Sequence, residues 1–300
     1  MSQISLKEYA APVYLNNRYT PSLPFFFGSK EDLVSELLEM LLKERDQLRN
    51  SAIPQHYSGK RNLLKGLLTV REPVPLDVDF LNKLDSLLQI ELFEKGVIEV
   101  EKLESIITSC PSSRFNQADK FILWQGDITS LGADAIVNAS NKYMLGCFQP
   151  YHACIDNAIH SAAGPQLRED CRMIMSIQEE PEATGTAKIT RGYNLPARFV
   201  LHTVGPVVSK VTKLTEQQRA DLAACYRSCL ELASEINEIR TIAFCAISTG
   251  VFGFPKHEAA KIAVQTVNEW LNTHAHHFDK IIFNVFSEED YEEYRHIFHI

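Results

Sequence analysis

Residues 124–164 read WQGDITSLGADAIVNASNKYMLGCFQPYHACIDNAIHSAAG, and this stretch decides the fold. Two short apolar runs, Phe121–Trp124 and Ala135–Val137, predict buried strands. A pattern of apolar residues three and four apart begins directly after Cys154 and predicts a helix. The stretch therefore predicts a strand, a turn, a second strand, an irregular loop and a helix, in that order.

Polar side chains gather at the junctions between these elements. Asp127 follows the first predicted strand, and the small and amide residues 138–141 follow the second. Asp156 falls in the first turn of the predicted helix, where acids are favoured because backbone N–H groups point outward. The same N–H groups bind phosphate readily, so this junction is a candidate anion site.

Composition limits the classes of protein that the chain could belong to. Of its 300 residues, 45% are hydrophobic and 23% charged, which is ordinary for a globular protein. A formal net charge of -8 argues against a nucleic-acid-binding surface. No secretory signal is visible near residue 1, and no apolar run is long enough to span a membrane. We therefore expect a cytoplasmic protein with seven reduced cysteines.

The first part of the chain, residues 1–115, predicts a mainly helical extension. Ser29 with Asp32 resembles a helix cap, and the Phe25–Phe27 run is expected to pack onto the body. Leucine stripes at helical spacing follow at 33, 37, 38, 41 and 42, and again at 80–88 with Phe80. The polar segment 109–119 is the expected boundary, which gives a second domain over residues 116–300.

From Lys120 onward, strand and helix patterns alternate. Such alternation predicts a sheet with helices on both faces, an α/β fold. Strands are predicted at 186–190, 199–203, 241–247 and 280–286, and helices at 216–236, 256–271 and 288–298. Ligands in such folds bind outside the carboxyl ends of the strands, where Asp127, residues 138–141 and residues 248–250 are expected.

Several separated motifs in fixed order resemble the macrodomain family over about residues 120–300. They are GDIT (126–129), DAIVNASN (134–141), D-x-A-I-H-x-A-A-G (156–164) and STGVFGFP (248–255). The resemblance implies a three-layer α/β/α macrodomain with a mixed sheet, preceded here by the helical extension. Most macrodomains carry a run of glycines where this chain has GCFQPYHACIDN (146–157), a departure that resembles the zinc-containing bacterial branch.

Members of that branch are ADP-ribosyl hydrolases, so the resemblance implies release of ADP-ribose from a mono-ADP-ribosylated acidic side chain, an aspartyl ester. It also implies a functional link to a sirtuin-type ADP-ribosyltransferase. The expected partners are ADP-ribose and an ADP-ribosylated protein, such as a lipoylated carrier similar to the glycine-cleavage H protein. No nucleic-acid or membrane partner is expected. The alternative is a reader module that binds ADP-ribose without cleaving it, since the fold alone does not decide function.

Cys147, His152 and Cys154 are candidate metal ligands. Thiolate and imidazole are the usual zinc ligands, and three protein ligands leave one position open for water or substrate. From the residues alone, two other interpretations stand: three unrelated loop residues, or a structural metal completed by His160. The resemblance favours one Zn²⁺ held by Cys147, His152 and Cys154, and an open position favours the enzyme over the reader.

The resemblance also implies roles for residues around the nucleotide. Asp127 would hold the adenine, although a turn-forming aspartate is the simpler alternative. Asn141 and Asp156 are the predicted catalytic residues, beside the distal ribose, where a carboxylate could position water; Asn138 more simply ties the strand end to the loop. The full predicted ADP-ribose-binding set is Asp127, Ile128, Asn141, Cys154, Ile155, Asp156, Ser248, Thr249, Gly250, Val251 and Phe252. In this set the glycine-containing loop 248–252 would form an anion nest for the diphosphate, with Phe252 against the distal ribose.

Overall fold

The centre of the fold is a mixed sheet. The computed structural model describes residues 3–22, 28–43, 53–209 and 213–299, and in these ranges six strands form one sheet. They are β1 (Phe121–Gln125), β2 (Ala135–Ala139), β3 (Ala187–Arg191), β4 (Phe199–Thr203), β5 (Thr241–Phe244) and β6 (Lys280–Val285). The order across the sheet is β1-β6-β5-β2-β4-β3, with β3 antiparallel and the other pairs parallel.

The predicted α/β architecture with a mixed sheet is therefore confirmed. The apolar strands are buried between flanking helices, as expected for parallel strands covered on both faces. Those helices are α6 (Ile155–Ala163), α7 (Pro165–Gln178), α8 (Glu216–Ser234), α9 (Lys256–Thr273) and α10 (Glu288–His299). β5 is shorter than predicted, because the chain turns after Cys245 to form the loop that ends at Pro255.

The region before the sheet is helical, as predicted. It contains α1 (Leu6–Tyr9), α2 (Lys30–Lys43), α3 (Tyr57–Thr69), α4 (Val78–Lys95) and α5 (Ile106–Ser109). The Ser29 cap is confirmed, since its hydroxyl oxygen accepts from the Asp32 backbone N–H at 3.2 Å and its own backbone N–H donates to the Asp32 carboxylate. The Phe25–Phe27 run lies outside the described residues. None of the described helices is long and apolar enough to cross a membrane.

Two apolar clusters divide the molecule. The leucine stripes of α2 and α4 pack with Leu64 of α3 into a cluster of their own. Tyr9, Val100 and Phe115, in contrast, belong to the large core around the sheet. The two clusters therefore do not coincide with the predicted domains 1–115 and 116–300, because residues before 116 also belong to the core around the sheet. That domain division stays a prediction.

Asp85 of α4 fastens the helical cluster to the rest of the protein. This buried carboxylate accepts hydrogen bonds from the Tyr19 hydroxyl at 2.5 Å and from the Asn194 amide at 2.7 Å. The Ser22 backbone N–H lies 3.2 Å from it. Asn194 follows β3. The Asp85 side chain therefore joins α4 both to the segment that contains Tyr19 and Ser22 and to the part of the chain that forms the sheet.

We expect the Asp85→Ala substitution to lower the free energy of unfolding by about 3 kcal/mol. It removes charge-assisted hydrogen bonds and leaves the buried Asn194 amide short of an acceptor. Chemical denaturation measures the effect. The control is Asp79→Ala, at an exposed position of the same helix, where less than about 1 kcal/mol is expected. Equal effects of the two substitutions would contradict the role given to Asp85.

A candidate binding and metal site at the carboxyl edge of the sheet

The predicted polar residues meet at one edge of the sheet. Asp127 follows β1, Asn138 lies near the end of β2, and Ser248 follows β5. These three strands are parallel through β6, so their carboxyl ends point the same way. Folds of this type bind ligands at that edge, so the predicted polar residues lie where a ligand site is expected.

Asp127 is a half-exposed carboxylate held by several donors. Its Oδ1 accepts from the Thr129 backbone N–H at 2.9 Å and from the Thr129 hydroxyl at 2.7 Å, while Oδ2 accepts from Lys95 Nζ at 2.5 Å. Burial alone would raise the pKa of Asp127, but the hydrogen bonds from Lys95 and Thr129 hold it below its usual value. The carboxylate is thus charged at neutral pH, with one Oδ2 lone pair left for a ligand donor.

Sequence reasoning missed Lys95. This residue is the last of α4, where a lysine is ordinary because it complements the helix dipole, so the sequence carries no signal for a contact with Asp127. The ion pair borders a cavity of about 240 Å³ between the N-terminal helices and α6, lined also by Arg61, Lys65 and Ser161. The helical region therefore forms one wall beside Asp127.

A second carboxylate, Asp156, is buried in the first turn of α6. Asn138 Nδ2 donates to its Oδ1 at 2.8 Å, so the strand-end asparagine ties β2 to this helix. Burial raises the pKa of Asp156 to about 6, although the Asn138 hydrogen bond and the positive charge of Arg168 oppose the shift. Such a group titrates close to neutrality, as general acids and bases do.

His160 lies one turn further along α6 and is buried. Its Nε2 is 3.5 Å from Asp156 Oδ1, and neither ring nitrogen has a hydrogen-bond partner among the described residues. One of its ring nitrogens lies within 4.8 Å of a ligand atom of Cys171 and of His202, in a group separate from the three loop ligands. The interpretation of His160 as a fourth ligand to the loop metal therefore gains no support.

Cys147, His152 and Cys154 are brought together by the loop before α6. One ligand atom of each lies within 4.8 Å of the other two, and Cys147 Sγ is 3.6 Å from His152 Nδ1. Two sulfurs and an imidazole at such distances fit a zinc ion, whose bonds to these atoms are about 2.0–2.3 Å. The predicted ligand set is therefore compatible with the metal.

Cys154 also caps α6. Its Sγ accepts from the Asn157 backbone N–H at 3.4 Å. Burial raises the pKa of the Cys154 thiol to about 11, so the thiol keeps its proton at neutral pH unless a cation displaces it.

The backbone of this loop is specialised. Gly146 has a φ of +78°, and a Cβ there would lie 3.0 Å from the His160 ring. Asn141 spans the loop: its Nδ2 donates to the Gly146 carbonyl at 3.0 Å, and its Oδ1 accepts from the Tyr143 N–H at 2.9 Å. The amide of Asn141 thus shapes the loop before Cys147, and its predicted contact with ribose stays a prediction.

The loop 248–252 offers donors without protein partners. The Ser248 hydroxyl is buried and finds no partner among the described residues. The backbone N–H groups of Gly250, Val251 and Phe252 make no backbone hydrogen bond within the described part of the chain. The turn is closed instead by a bond from Gly253 N–H to the Gly250 carbonyl. Backbone N–H groups without protein partners can bind an anion, and the predicted contact of this loop with the diphosphate stays a prediction.

Known proteins similar to this chain include macrodomains and protein-ADP-ribose hydrolases. The Macro domain family model matches residues 137–263. A protein-ADP-ribose hydrolase of Treponema medium is 46% identical over 254 residues, covering 85% of this chain and 93% of the relative. A probable bifunctional ADP-ribose hydrolase/ADP-ribosyltransferase of Fusarium oxysporum f. sp. cubense is 42% identical and covers 79% of this chain and 40% of its own length. The crystal structure of the Trypanosoma brucei macrodomain in complex with ADP-ribose is 29% identical, with a TM-score of 0.55, over 93% of this chain and 96% of that one.

We expect Gly146→Ala to destabilise the protein by about 1–2 kcal/mol, because a positive φ is strained for alanine and its Cβ would press on the buried His160 ring. Thermal and chemical unfolding measure the change. Gly250→Ala is the control: its φ is not positive and a Cβ there meets nothing within 4 Å, so its unfolding should stay near that of the wild type. A fully stable Gly146→Ala protein would show that the loop adapts.

Proposed function

The chain belongs to the macrodomain family, and we propose that it hydrolyses the bond between ADP-ribose and a modified protein side chain. One observation carries the proposal beyond the family. A buried carboxylate with a pKa of about 6 begins the helix that directly follows the three metal-type ligands. A site that only holds a nucleotide needs neither of these features.

The recognition part of the site consists of Asp127, Ile128 and the loop 248–252. The charged Asp127 would accept a hydrogen bond from the exocyclic amine of adenine, with the Ile128 backbone beside it. The unpaired N–H groups of the loop and of Ile155 at the α6 start would receive the diphosphate. Phe252 would pack against the distal ribose, which brings the other end of the ligand toward Asn141 and Asp156.

Asp156 is the residue proposed to act on water. Its carboxylate, fixed by Asn138, would orient a water molecule toward the bond between the distal ribose and the target side chain. Hydrolysis adds the water hydroxyl to the ribose carbon and its proton to the departing side chain, so no oxidant or second substrate is required. Since a pKa near 6 leaves Asp156 mostly ionised at neutral pH, the group accepts a proton without being strongly basic.

Cys147, His152 and Cys154 would hold a zinc ion beside this carboxylate. When bound, zinc supplies Lewis acidity toward an oxygen of the ribose, the water or the leaving group. Such an ion would lie near Asp156, because Cys154 immediately precedes α6 and Asp156 is its second residue. Zinc dependence is thus part of the proposal, as are the roles of Asn141 and Asp156.

The proposal extends to the modified side chain and the protein that carries it. The proposed substrate is an aspartyl ester of ADP-ribose on a mono-ADP-ribosylated protein in the cytoplasm. The proposed protein is a lipoylated carrier similar to the glycine-cleavage H protein. A relative in Fusarium carries hydrolase and ADP-ribosyltransferase names together, which supports a functional link to a transferase; a sirtuin-type enzyme is proposed. The net charge of -8 argues against nucleic acid as a further partner.

We expect Asp127→Ala to weaken the binding of free ADP-ribose by about tenfold or more. The substitution removes a charge-assisted hydrogen bond, worth roughly 1.5–3 kcal/mol. Isothermal calorimetry measures the affinity. The control is Asp134→Ala, since Asp134 caps the other end of the sheet by accepting from the Arg240 and Thr241 N–H groups. Unchanged affinity in Asp127→Ala would return this residue to a turn-forming role.

We expect Cys147→Ala to abolish zinc retention and to slow hydrolysis far more than it weakens ADP-ribose binding, because the adenine and diphosphate contacts lie elsewhere. The assay follows release of free ADP-ribose from an aspartyl-ADP-ribosylated carrier in a single turnover, with metal content and melting temperature measured on the same sample. Cys110→Ala, a buried cysteine outside the loop, is the control and should retain zinc and activity.

Two results would decide against the proposal. A stable Cys147→Ala protein with undiminished hydrolysis would refute catalytic zinc. A wild-type protein that binds ADP-ribose tightly but releases none from the carrier would favour the reader module.

A further inference from the structure

We propose that helix α3 holds the metal loop, residues 147–154, in its ligating shape, with Arg168 of α7 as the positioning residue that joins the two. The inference rests on the proposed zinc site. It assigns a role to the N-terminal helices, which contribute none of the three proposed ligands. Contacts on both sides of the loop support it.

Arg168 donates hydrogen bonds to backbone carbonyl oxygens at the end of α3. Its guanidinium is buried, and Nη1 lies 2.9–3.1 Å from three backbone carbonyl oxygens. These oxygens belong to Leu68, Thr69 and Arg71. The last carbonyls of a helix have no partner within the helix, so a buried cation is well suited to bind them. α3 is thereby fixed against α7.

The same guanidinium also contacts the metal loop. The Arg168 guanidinium carbon lies 4.5 Å from the centroid of the Phe148 ring, within cation–π distance. Phe148 is the residue after the proposed ligand Cys147. One planar side chain thus packs on the loop beside its first ligand while it holds the end of α3.

Tyr151 contacts α3 beside the second ligand, His152. A Cβ at Gly66 of α3 would lie only 2.6 Å from the Tyr151 hydroxyl, so this ring tip rests against the helix backbone. Glycine in a helix interior is unfavourable by roughly 1 kcal/mol relative to alanine, and close approach of another group explains why it is present. Tyr151 itself has a φ of +62°, a conformation that a non-glycine residue keeps only when its surroundings hold it.

Asn157 completes the support on the α6 side. Its Nδ2 donates to the His152 carbonyl at 3.1 Å. Its Oδ1 lies 3.4 Å from the Thr69 hydroxyl, a longer and weaker contact that again comes from the end of α3. The backbone around His152 is therefore held from two helices.

Together these contacts hold the proposed zinc ligands in place through residues that are not ligands themselves. Groups that orient metal ligands commonly change metal affinity by 10–100-fold when they are replaced. In contrast, the proposed adenine and diphosphate contacts do not involve the end of α3. Loss of this support should therefore weaken zinc binding and hydrolysis while leaving ADP-ribose affinity nearly unchanged.

The test compares Arg168→Lys and Phe148→Leu with the wild-type full chain. Lysine keeps the charge but loses the planar guanidinium that packs on the Phe148 ring. Phe148→Leu removes only the ring under the guanidinium, so the bonds from Arg168 to α3 remain and folding is preserved. Arg172→Lys, one turn further along α7, is the matched control. Zinc affinity is measured by competition with a chromophoric chelator, ADP-ribose affinity by calorimetry, and hydrolysis in single turnover.

We expect both variants to bind zinc about tenfold or more weakly and to hydrolyse more slowly, with ADP-ribose affinity within about twofold of the wild type and Arg172→Lys unchanged. Wild-type zinc affinity in Phe148→Leu would overturn the inference, because the arginine would then act on α3 alone. Equal loss of zinc and ADP-ribose affinity in that variant would also overturn it, by indicating general disruption. Absence of zinc from the wild-type protein is a separate outcome, which defeats the proposed metal site before any variant is compared.

Discussion

The hydrogen bond between Asn138 and Asp156 sets the arrangement of the site. It joins the end of β2 to the first turn of α6 through two buried side chains, 2.8 Å apart. Because both ends of the connection 140–154 are fixed, that segment must close over a short distance at the carboxyl edge of the sheet. It does so with left-handed residues at Met144, Gly146 and Tyr151, and this bent path brings the ligand side chains of the loop together.

The N-terminal helices extend the same edge. α4 ends at Lys95, whose ammonium group meets Asp127, and α3 ends where Arg168 binds its carbonyls. Both contacts occur at the last turns of helices whose leucine faces form a separate apolar cluster. The cluster thus orients two helix ends toward the site, one at the proposed adenine position and one at the metal loop. Two helices of this region thus end at contacts with residues of the candidate site or with the arginine beside its loop.

The elements of the fold were predictable from the sequence, and their mutual contacts were not. Apolar runs and helical spacing gave β1, β2 and α6 to within two residues, since those patterns are local. The three loop ligands were predicted from residue type and resemblance, and the structure places them within reach of one ion. Arg168 and Lys95 were missed because their partners are about 100 and 32 residues away, and neither residue type nor spacing marks such pairs. The sequence likewise gives no sign that the His160 ring nitrogens lack hydrogen-bond partners among the described residues, because this depends on packing.

Arg168 acts on the charge of the site as well as on its shape. Burial raises the pKa of Asp156 to about 6 from an ordinary value of 3.8, and the positive charge of Arg168 opposes that shift. A carboxyl whose pKa is higher in the folded than in the unfolded chain reduces stability as pH rises from about 4 to 6, and the reduction persists above that range. A protein retains a destabilising buried carboxylate where its chemistry is needed. The positive charge of Arg168 reduces this destabilisation, and the same side chain holds the loop that carries the proposed metal ligands.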